Sequence, residues 1–122
     1  MTTPLRFDDP SPDESFGTYL QRARRFRGLT QRQLASDIEI DFTYLSKIEN
    51  DRGDALSEEK IRRVAVILDL DTDTLLALAG KVPVEIRRLA QEDREFAMFL
   101  RRLPHLSAEE RQVLYRKARR GP

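Results

Sequence analysis

Residues 29–50, LTQRQLASDIEIDFTYLSKIEN, carry the pattern that decides the fold of this chain. Thr30 is followed three residues later by Gln33, which is the spacing of a capping box, so a helix is expected to begin there. Asp41 suits the N-cap position of a second helix. The stretch therefore predicts two short helices joined by a tight turn.

The apolar residues of this stretch separate an inward side from an outward side. The inward set comprises Leu34, Ala35, Ile40, Leu45 and Ile48. Phe42, Thr43 and Lys47 then share the outward face at the start of the second helix. In a helix-turn-helix this face enters the major groove of DNA, where phenylalanine suits a thymine methyl, lysine suits guanine and threonine suits either kind of base. The alternative is that Phe42 is a core residue of a bundle that binds no DNA; its position opposite the inward residues favours exposure.

Polar residues flank the two helices at positions suited to phosphate contacts. Gln31 lies in the first turn of the first helix, and Asn50 and Arg52 follow the second. Any further affinity for nucleic acid must come from a local basic cluster, part of which is expected to be a solvated helix face. That cluster comprises Arg22, Arg24, Arg25, Arg27, Arg32, Lys47 and Arg52.

A helical pattern extends over residues 13–80, while both ends of the chain differ from it. Five helices with short connections and no strand pattern predict an all-α domain there. Residues 1–12 hold three prolines and are expected to form a flexible arm. Gly28 is expected to end the first helix, Gly80 the fifth and Pro104 the helix that begins near Asp93. The other expected helix starts are Ser57, Asp71 or Thr72, Pro83, Asp93 and Ser107.

Residues 81–122 contain short amphipathic helices that cannot be stable alone. Their apolar faces must pack on the first domain, on each other or on a second copy of the chain, and we expect the last, which gives a homodimer. The residues expected at the dimer contact are Phe96, Phe99, Leu100, Leu103, Leu106, Val113 and Leu114.

Composition limits the classes of function. With 122 residues, of which 39% are hydrophobic, the chain can bury one modest core but not the large pocketed body of a typical enzyme. It has no cysteine, and its one histidine lacks a spaced partner, so no metal site is expected. We expect no enzymatic activity and no cofactor.

Without a membrane-spanning run or a signal peptide, a soluble cytoplasmic protein is expected.

The net charge of +1 hides an asymmetry along the chain. Residues 1–80 hold 11 Lys/Arg and 15 Asp/Glu, a net of −4, whereas residues 81–122 hold 11 and 6, a net of +5. The half expected to bind DNA is therefore the acidic half. This counts weakly against DNA binding, because phosphate contacts depend more on local geometry than on total charge.

The combination of Leu-Thr-Gln, Leu-Ala, Tyr-Leu-Ser and Ile-Glu at these spacings resembles the XRE family of lambda repressor and Cro-like proteins, over residues 16–80. The resemblance implies a five-helix bundle that binds an operator as a dimer. It implies phosphate contacts from Gln31 and Asn50, and base reading by Phe42, Thr43, Tyr44 and Lys47.

Two further positions follow from the resemblance. Arg24 and Glu49 match a pair that forms an internal ion pair in family members, and Arg24 has a possible additional role at a DNA phosphate. Glu39 departs from the family, which usually has glycine at this turn, and a non-glycine residue in the left-handed conformation costs about 1–2 kcal/mol.

The tail, with AGKVP and LSAEE, resembles repressors found beside metallopeptidases of the ImmA/IrrE type, which cut the repressor's C-terminal region. The resemblance implies control of a phage, DNA-damage or antiphage-defence operon. Cleavage is expected between residues 96 and 106, with Leu100-Arg101 as a candidate bond.

The leading hypothesis is thus a dimeric, sequence-specific transcriptional repressor of a palindromic operator. The alternative is an antitoxin or adaptor that uses the same helices for protein contacts. The exposed polar side chains at reading positions favour the first, whereas the acidic N-terminal half favours the second.

Overall fold

Eight α-helices make up most of the chain in a computed structural model that describes residues 6–53 and 56–120. No strand occurs in these described ranges, which confirms the all-α prediction. The chain forms two compact units, Met1–Lys81 and Val82–Pro122. The helices are α1 (Phe16–Phe26), α2 (Gln31–Asp37), α3 (Phe42–Glu49), α4 (Glu58–Leu68), α5 (Thr72–Leu78), α6 (Val84–Glu92), α7 (Arg94–Arg102) and α8 (Ala108–Arg119), with a 3-10 turn at Leu103–His105.

Side-chain caps fix the starts of the helices in the first unit. The capping box of Thr30 and Gln33 is present, and the Asp41 carboxylate accepts a hydrogen bond of 2.7 Å from the Thr43 backbone N–H. Ser57 and Asp71 cap α4 and α5 as expected. The cap of α1 is Ser15, which the sequence pattern did not single out. These caps satisfy backbone donors that have no partner within a helix.

The core of the first unit is formed where α1 to α5 meet. Its side chains come from every one of these helices. The largest fully buried residues are Leu20, Leu34, Ile38, Leu45, Leu56, Ile61, Val64, Leu68 and Leu75.

The N-terminal segment corrects the expectation of an arm without a fixed fold over residues 1–12. Phe7 is only 8% exposed, and its ring centroid lies 5.4 Å from that of Tyr19 and 5.0 Å from that of Phe26. The Tyr19 hydroxyl donates a 2.8 Å hydrogen bond to the Asp8 carbonyl. Burying an aromatic ring removes a large apolar area from water, and this fixes a segment with no regular secondary structure. The part of the expected arm that covers residues 1–5 lies outside the described residues.

Charged groups reinforce this contact with α1. Arg22 donates to both carboxylate oxygens of Glu14, at 2.7 and 2.9 Å, and its guanidinium lies 4.8 Å from the centre of the Phe7 ring. The hydrogen bond from Arg22 lowers the pKa of Glu14. Because the ionised carboxylate is the hydrogen-bonded form, this contact is complete above the ordinary titration range of a glutamate and weakens as the pH falls through the lowered pKa.

Glu39 occupies the turn between α2 and α3 with φ +58°, in the left-handed region that favours glycine. Its carboxylate lies 3.2 Å from a guanidinium nitrogen of Arg63 in α4. Glu39 is largely exposed, so this ion pair offsets little of the backbone cost.

The second unit contains α6, α7 and α8. Asp93 caps α7, and Ser107 with Glu110 forms the expected capping box of α8. Pro83 stands at the N-cap of α6, just before the first turn in which it was expected. Between residues 82 and 120 no side chain is buried. Of the predicted dimer residues, Phe99 and Val113 are exposed, and the others are half-buried.

No helix within the described part of the chain has both the length and the apolar character needed to cross a membrane.

Replacing Glu39 with glycine is expected to raise the free energy of unfolding by about 0.5–1 kcal/mol. The change removes a left-handed strain of about 1–2 kcal/mol and adds a glycine entropy cost of about 0.5–1 kcal/mol. Urea denaturation measures it. Glu39→Ala is the control, since it also removes the ion pair with Arg63 but keeps the Cβ atom. Equal stabilities of the two variants would contradict the strain argument.

Candidate nucleic-acid interface

The packing of α2 against α3 defines a face of the first unit. Ala35 is 2% exposed, and its carbonyl accepts a 2.9 Å hydrogen bond from the Ile40 backbone N–H, which closes the turn between the helices. Leu45 and Ile48 point inward from α3 and are buried. Because residues three and four apart share one side of a helix, the opposite side of α3 faces away from the core.

The predicted base-reading residues lie at two depths on α3. Phe42 is 38% exposed, and Thr43 and Lys47 are exposed as well. They share the outward side of the helix in its first two turns. Tyr44 is half-buried and packs against the edge of the core, so it differs from the other three.

The predicted phosphate contacts surround this face, and two of them are held by the protein itself. The Gln31 side-chain amide donates a 2.9 Å hydrogen bond to Oε1 of Glu49. The Asn50 amide donates a 2.8 Å hydrogen bond to the Ser46 carbonyl at the end of α3. Arg32 and Arg52 are exposed.

Arg24 and Glu49 form a buried ion pair beneath the interface. The Arg24 guanidinium donates to both oxygens of Glu49, at 2.7 and 2.9 Å, and to the Leu29 carbonyl at 2.8 Å. Arg24 is 6% exposed and Glu49 is 3% exposed. Removing one partner of such a pair leaves an uncompensated charge, which costs about 3–5 kcal/mol. The expected phosphate role of Arg24 therefore needs correction, because its donors face the carboxylate and the carbonyl rather than the surface.

The basic cluster divides into two groups. Arg22 binds Glu14, Arg24 binds Glu49, and Arg27 donates to the Leu68 carbonyl at 2.9 Å. These three arginines contribute mainly to the fold. The other four members, Arg25, Arg32, Lys47 and Arg52, are exposed, and Arg22 is exposed as well despite its contact with Glu14.

An open groove runs beside the start of α3. Its lining includes Arg25 and Gly28 from the end of α1, Gln31 and Arg32 from α2, and Phe42 from α3. The guanidinium carbon of Arg32 lies 4.6 Å from the centre of the Phe42 ring. The groove thus combines cationic side chains with one aromatic ring.

Sequence reasoning missed three residues that hold the end of α3. A Cβ atom on Gly17 would collide with the Ile48 carbonyl oxygen, so only glycine allows α1 to approach α3 this closely. The Ser15 hydroxyl donates a 2.8 Å hydrogen bond to Asp51, which has φ +59°. Ser15 precedes an amphipathic run and has the signal of an N-cap. Nothing local points to its contact with a residue 36 positions away.

Comparison with known proteins agrees with this arrangement. A family model described as a helix-turn-helix domain matches residues 17–81. The chain is 35% identical over 79 residues to the uncharacterized HTH-type transcriptional regulator RghRB of Bacillus subtilis strain 168. The matched segment covers 62% of this chain and 57% of that relative, so the chain spans somewhat more than half of the relative's length.

Two solved structures are similar to this chain at lower sequence identity than that relative. One is the master regulator for biofilm formation SinR in complex with DNA, with 28% identity, a TM-score of 0.46 and coverage of 50% of this chain and 97% of the solved chain. The other is a SinR–SinI complex, with 25% identity, a TM-score of 0.47 and coverage of 85% and 96%.

The family model alone spans more than half of the 122 residues and includes both helices of the interface. It confirms the resemblance drawn from the Leu-Thr-Gln and Tyr-Leu-Ser signatures. The chain belongs to the XRE-type helix-turn-helix family of transcription regulators.

Proposed function

We propose that this protein is a transcriptional repressor that binds a palindromic DNA operator as a homodimer. The observation that carries the proposal is the outward side of α3, where Phe42, Thr43 and Lys47 are exposed while Leu45 and Ile48 are buried. A helix held in this way presents its first two turns to base edges in the major groove. Membership of the helix-turn-helix family supports the same function.

The roles proposed for individual residues follow from their chemistry. Lys47 donates to guanine acceptors, Phe42 contacts a thymine methyl, and Thr43 serves either kind of base. Tyr44, at the edge of the core, supports this reading face from within. Arg32, Arg52, Gln31 and Asn50 are the proposed phosphate contacts, and Gln31 is already oriented by Glu49.

Lys47→Ala is expected to weaken binding to a selected operator by about tenfold or more, because a base contact contributes about 1–3 kcal/mol of discrimination. The probe is a duplex enriched from a randomised library, measured by mobility shift at several salt concentrations. A steep salt slope is expected for the wild type.

Lys81→Ala is the matched control, since it removes the same charge beyond α5. Loss of affinity by the same factor for selected and random duplexes would show that Lys47 contacts phosphate only. Failure to enrich any duplex would favour the adaptor hypothesis instead.

The homodimer is proposed to form through the second unit. None of its apolar side chains is fully buried within residues 82–120, and the rings of Phe96 and Phe99 lie side by side on α7 with centroids 6.4 Å apart. Once one DNA-binding unit of the dimer is bound, the other is held near its half-site at a high effective concentration. This raises the affinity by about 10²–10⁴ without new DNA contacts.

Phe99→Glu is expected to convert the dimer to a monomer and to lower affinity for a two-half-site duplex by about 100-fold or more. Binding to a single half-site should not change. Sedimentation velocity gives the oligomeric state, and circular dichroism checks that the helices persist. Val66→Glu is the matched control, because Val66 is an 81% exposed valine on α4. A Phe99→Glu variant that stays dimeric would contradict the proposed contact.

We further propose that the repressor is switched off by a metallopeptidase of the ImmA/IrrE type. Leu100 and Arg101 lie inside α7, where the backbone is helical, whereas Pro104 and His105 are exposed in the 3-10 turn before α8. Proteolysis concentrates at exposed loops. After incubation with a peptidase encoded beside the gene, mass spectrometry is therefore expected to give a cut at residues 103–106. A fragment ending at Leu100 would instead show that α7 unwinds.

A further inference from the structure

Arg32 and Phe42 form a side-chain pair that joins the two helices of the interface. Arg32 lies in the first turn of α2 and Phe42 is the first residue of α3. The Arg32 guanidinium carbon lies 4.6 Å from the centre of the Phe42 ring. A cation at this distance is attracted by the negative face of the ring, and a planar guanidinium can also stack on it.

This pair covers one face of a ring that is partly exposed. Phe42 is 38% exposed and opens its helix, so no preceding turn of α3 packs against it. An exposed phenylalanine in such a place exchanges between rotamers rapidly. With one face of the ring against the guanidinium, the remaining exposed surface of the ring has a defined direction.

The chemistry of the ring limits what it can read. A phenyl group has no hydrogen-bond donor or acceptor, so it distinguishes base pairs only through apolar surface. The thymine 5-methyl group is the apolar group that the major-groove edges of unmodified DNA present. A fixed phenyl ring at the start of α3 is therefore suited to detect this methyl.

We propose that Arg32 is a positioning residue for Phe42, and that the pair makes operator recognition depend on one thymine methyl in each half-site. This inference rests on the proposed function, and it gives Arg32 a role beyond a phosphate contact. Its physical content is a coupling: loss of the guanidinium weakens methyl recognition even though the guanidinium does not contact the methyl.

The first test uses the free full-length chain and needs no DNA. Ring currents from Phe42 are expected to shift the Arg32 side-chain protons upfield in NMR spectra, and Phe42→Leu is expected to remove this shift. Arg25 is the internal control, because it lines the same groove. Unchanged Arg32 shifts in Phe42→Leu would overturn the proposal whatever the DNA measurements give.

The second test replaces single thymines of a library-selected duplex with deoxyuridine, which removes one methyl group each time. At one thymine per half-site the wild type is expected to lose about fourfold in affinity, the equivalent of about 0.8 kcal/mol for one buried carbon. Phe42→Ala should reduce this sensitivity to below about twofold, since the ring that contacts the methyl is gone.

Arg32→Ala distinguishes positioning from phosphate contact. We expect its sensitivity to deoxyuridine to fall below about twofold, whereas Arg25→Ala should keep the fourfold effect even if total affinity drops. If Arg32→Ala weakens thymine and uracil duplexes by the same factor, Arg32 contacts phosphate only and the proposal is overturned.

Failure of the proposed function has a different signature. In that case no duplex is enriched from the library, and the proposed recognition of a thymine methyl is wrong as well. The NMR measurement still reports whether Arg32 lies against the Phe42 ring. Enrichment of a duplex with no deoxyuridine-sensitive position would overturn this inference and leave the proposed function intact.

Discussion

The buried ion pair between Arg24 and Glu49 is the constraint on which the geometry of the interface depends. One carboxylate, at the last residue of α3, accepts hydrogen bonds from Arg24 of α1 and from Gln31 of α2. Three helices are thereby fixed relative to one another by a single buried group. Because an unpaired charge at this depth is strongly unfavourable, alternative placements of the recognition helix are disfavoured.

The remaining contacts of α3 act in the same direction. The helix has only 8 residues, too few to be stable alone, so its position comes from tertiary packing. Asp41 caps its start, Asn50 closes its end, and the glycine at position 17 lets α1 approach its last turn. A helix held at both ends loses little conformational freedom on binding, which favours affinity.

The positive charge available at this interface is confined to a few side chains. The first unit carries more acidic than basic residues, and several of its arginines bind its own carboxylates and carbonyls. The proposed attraction to DNA must then come from the few cations around α3 rather than from a broad positive field. Such a surface would depend more on shape and base contacts than a strongly basic one, which is consistent with an aromatic side chain at a proposed reading position.

The sequence by itself determined the helices, most of their caps and the two sides of α3, because capping and apolar periodicity act over a few neighbouring residues. The left-handed turn at Glu39 was implied by the resemblance to the family, not by these local patterns. Only the tertiary structure decided that Phe7 is buried, that the Arg24 donors are all directed to Glu49 and the Leu29 carbonyl, and that Arg32 lies against Phe42. Each of these contacts joins residues from different segments, and local spacing carries no information about which of several arginines or aromatics will meet in space.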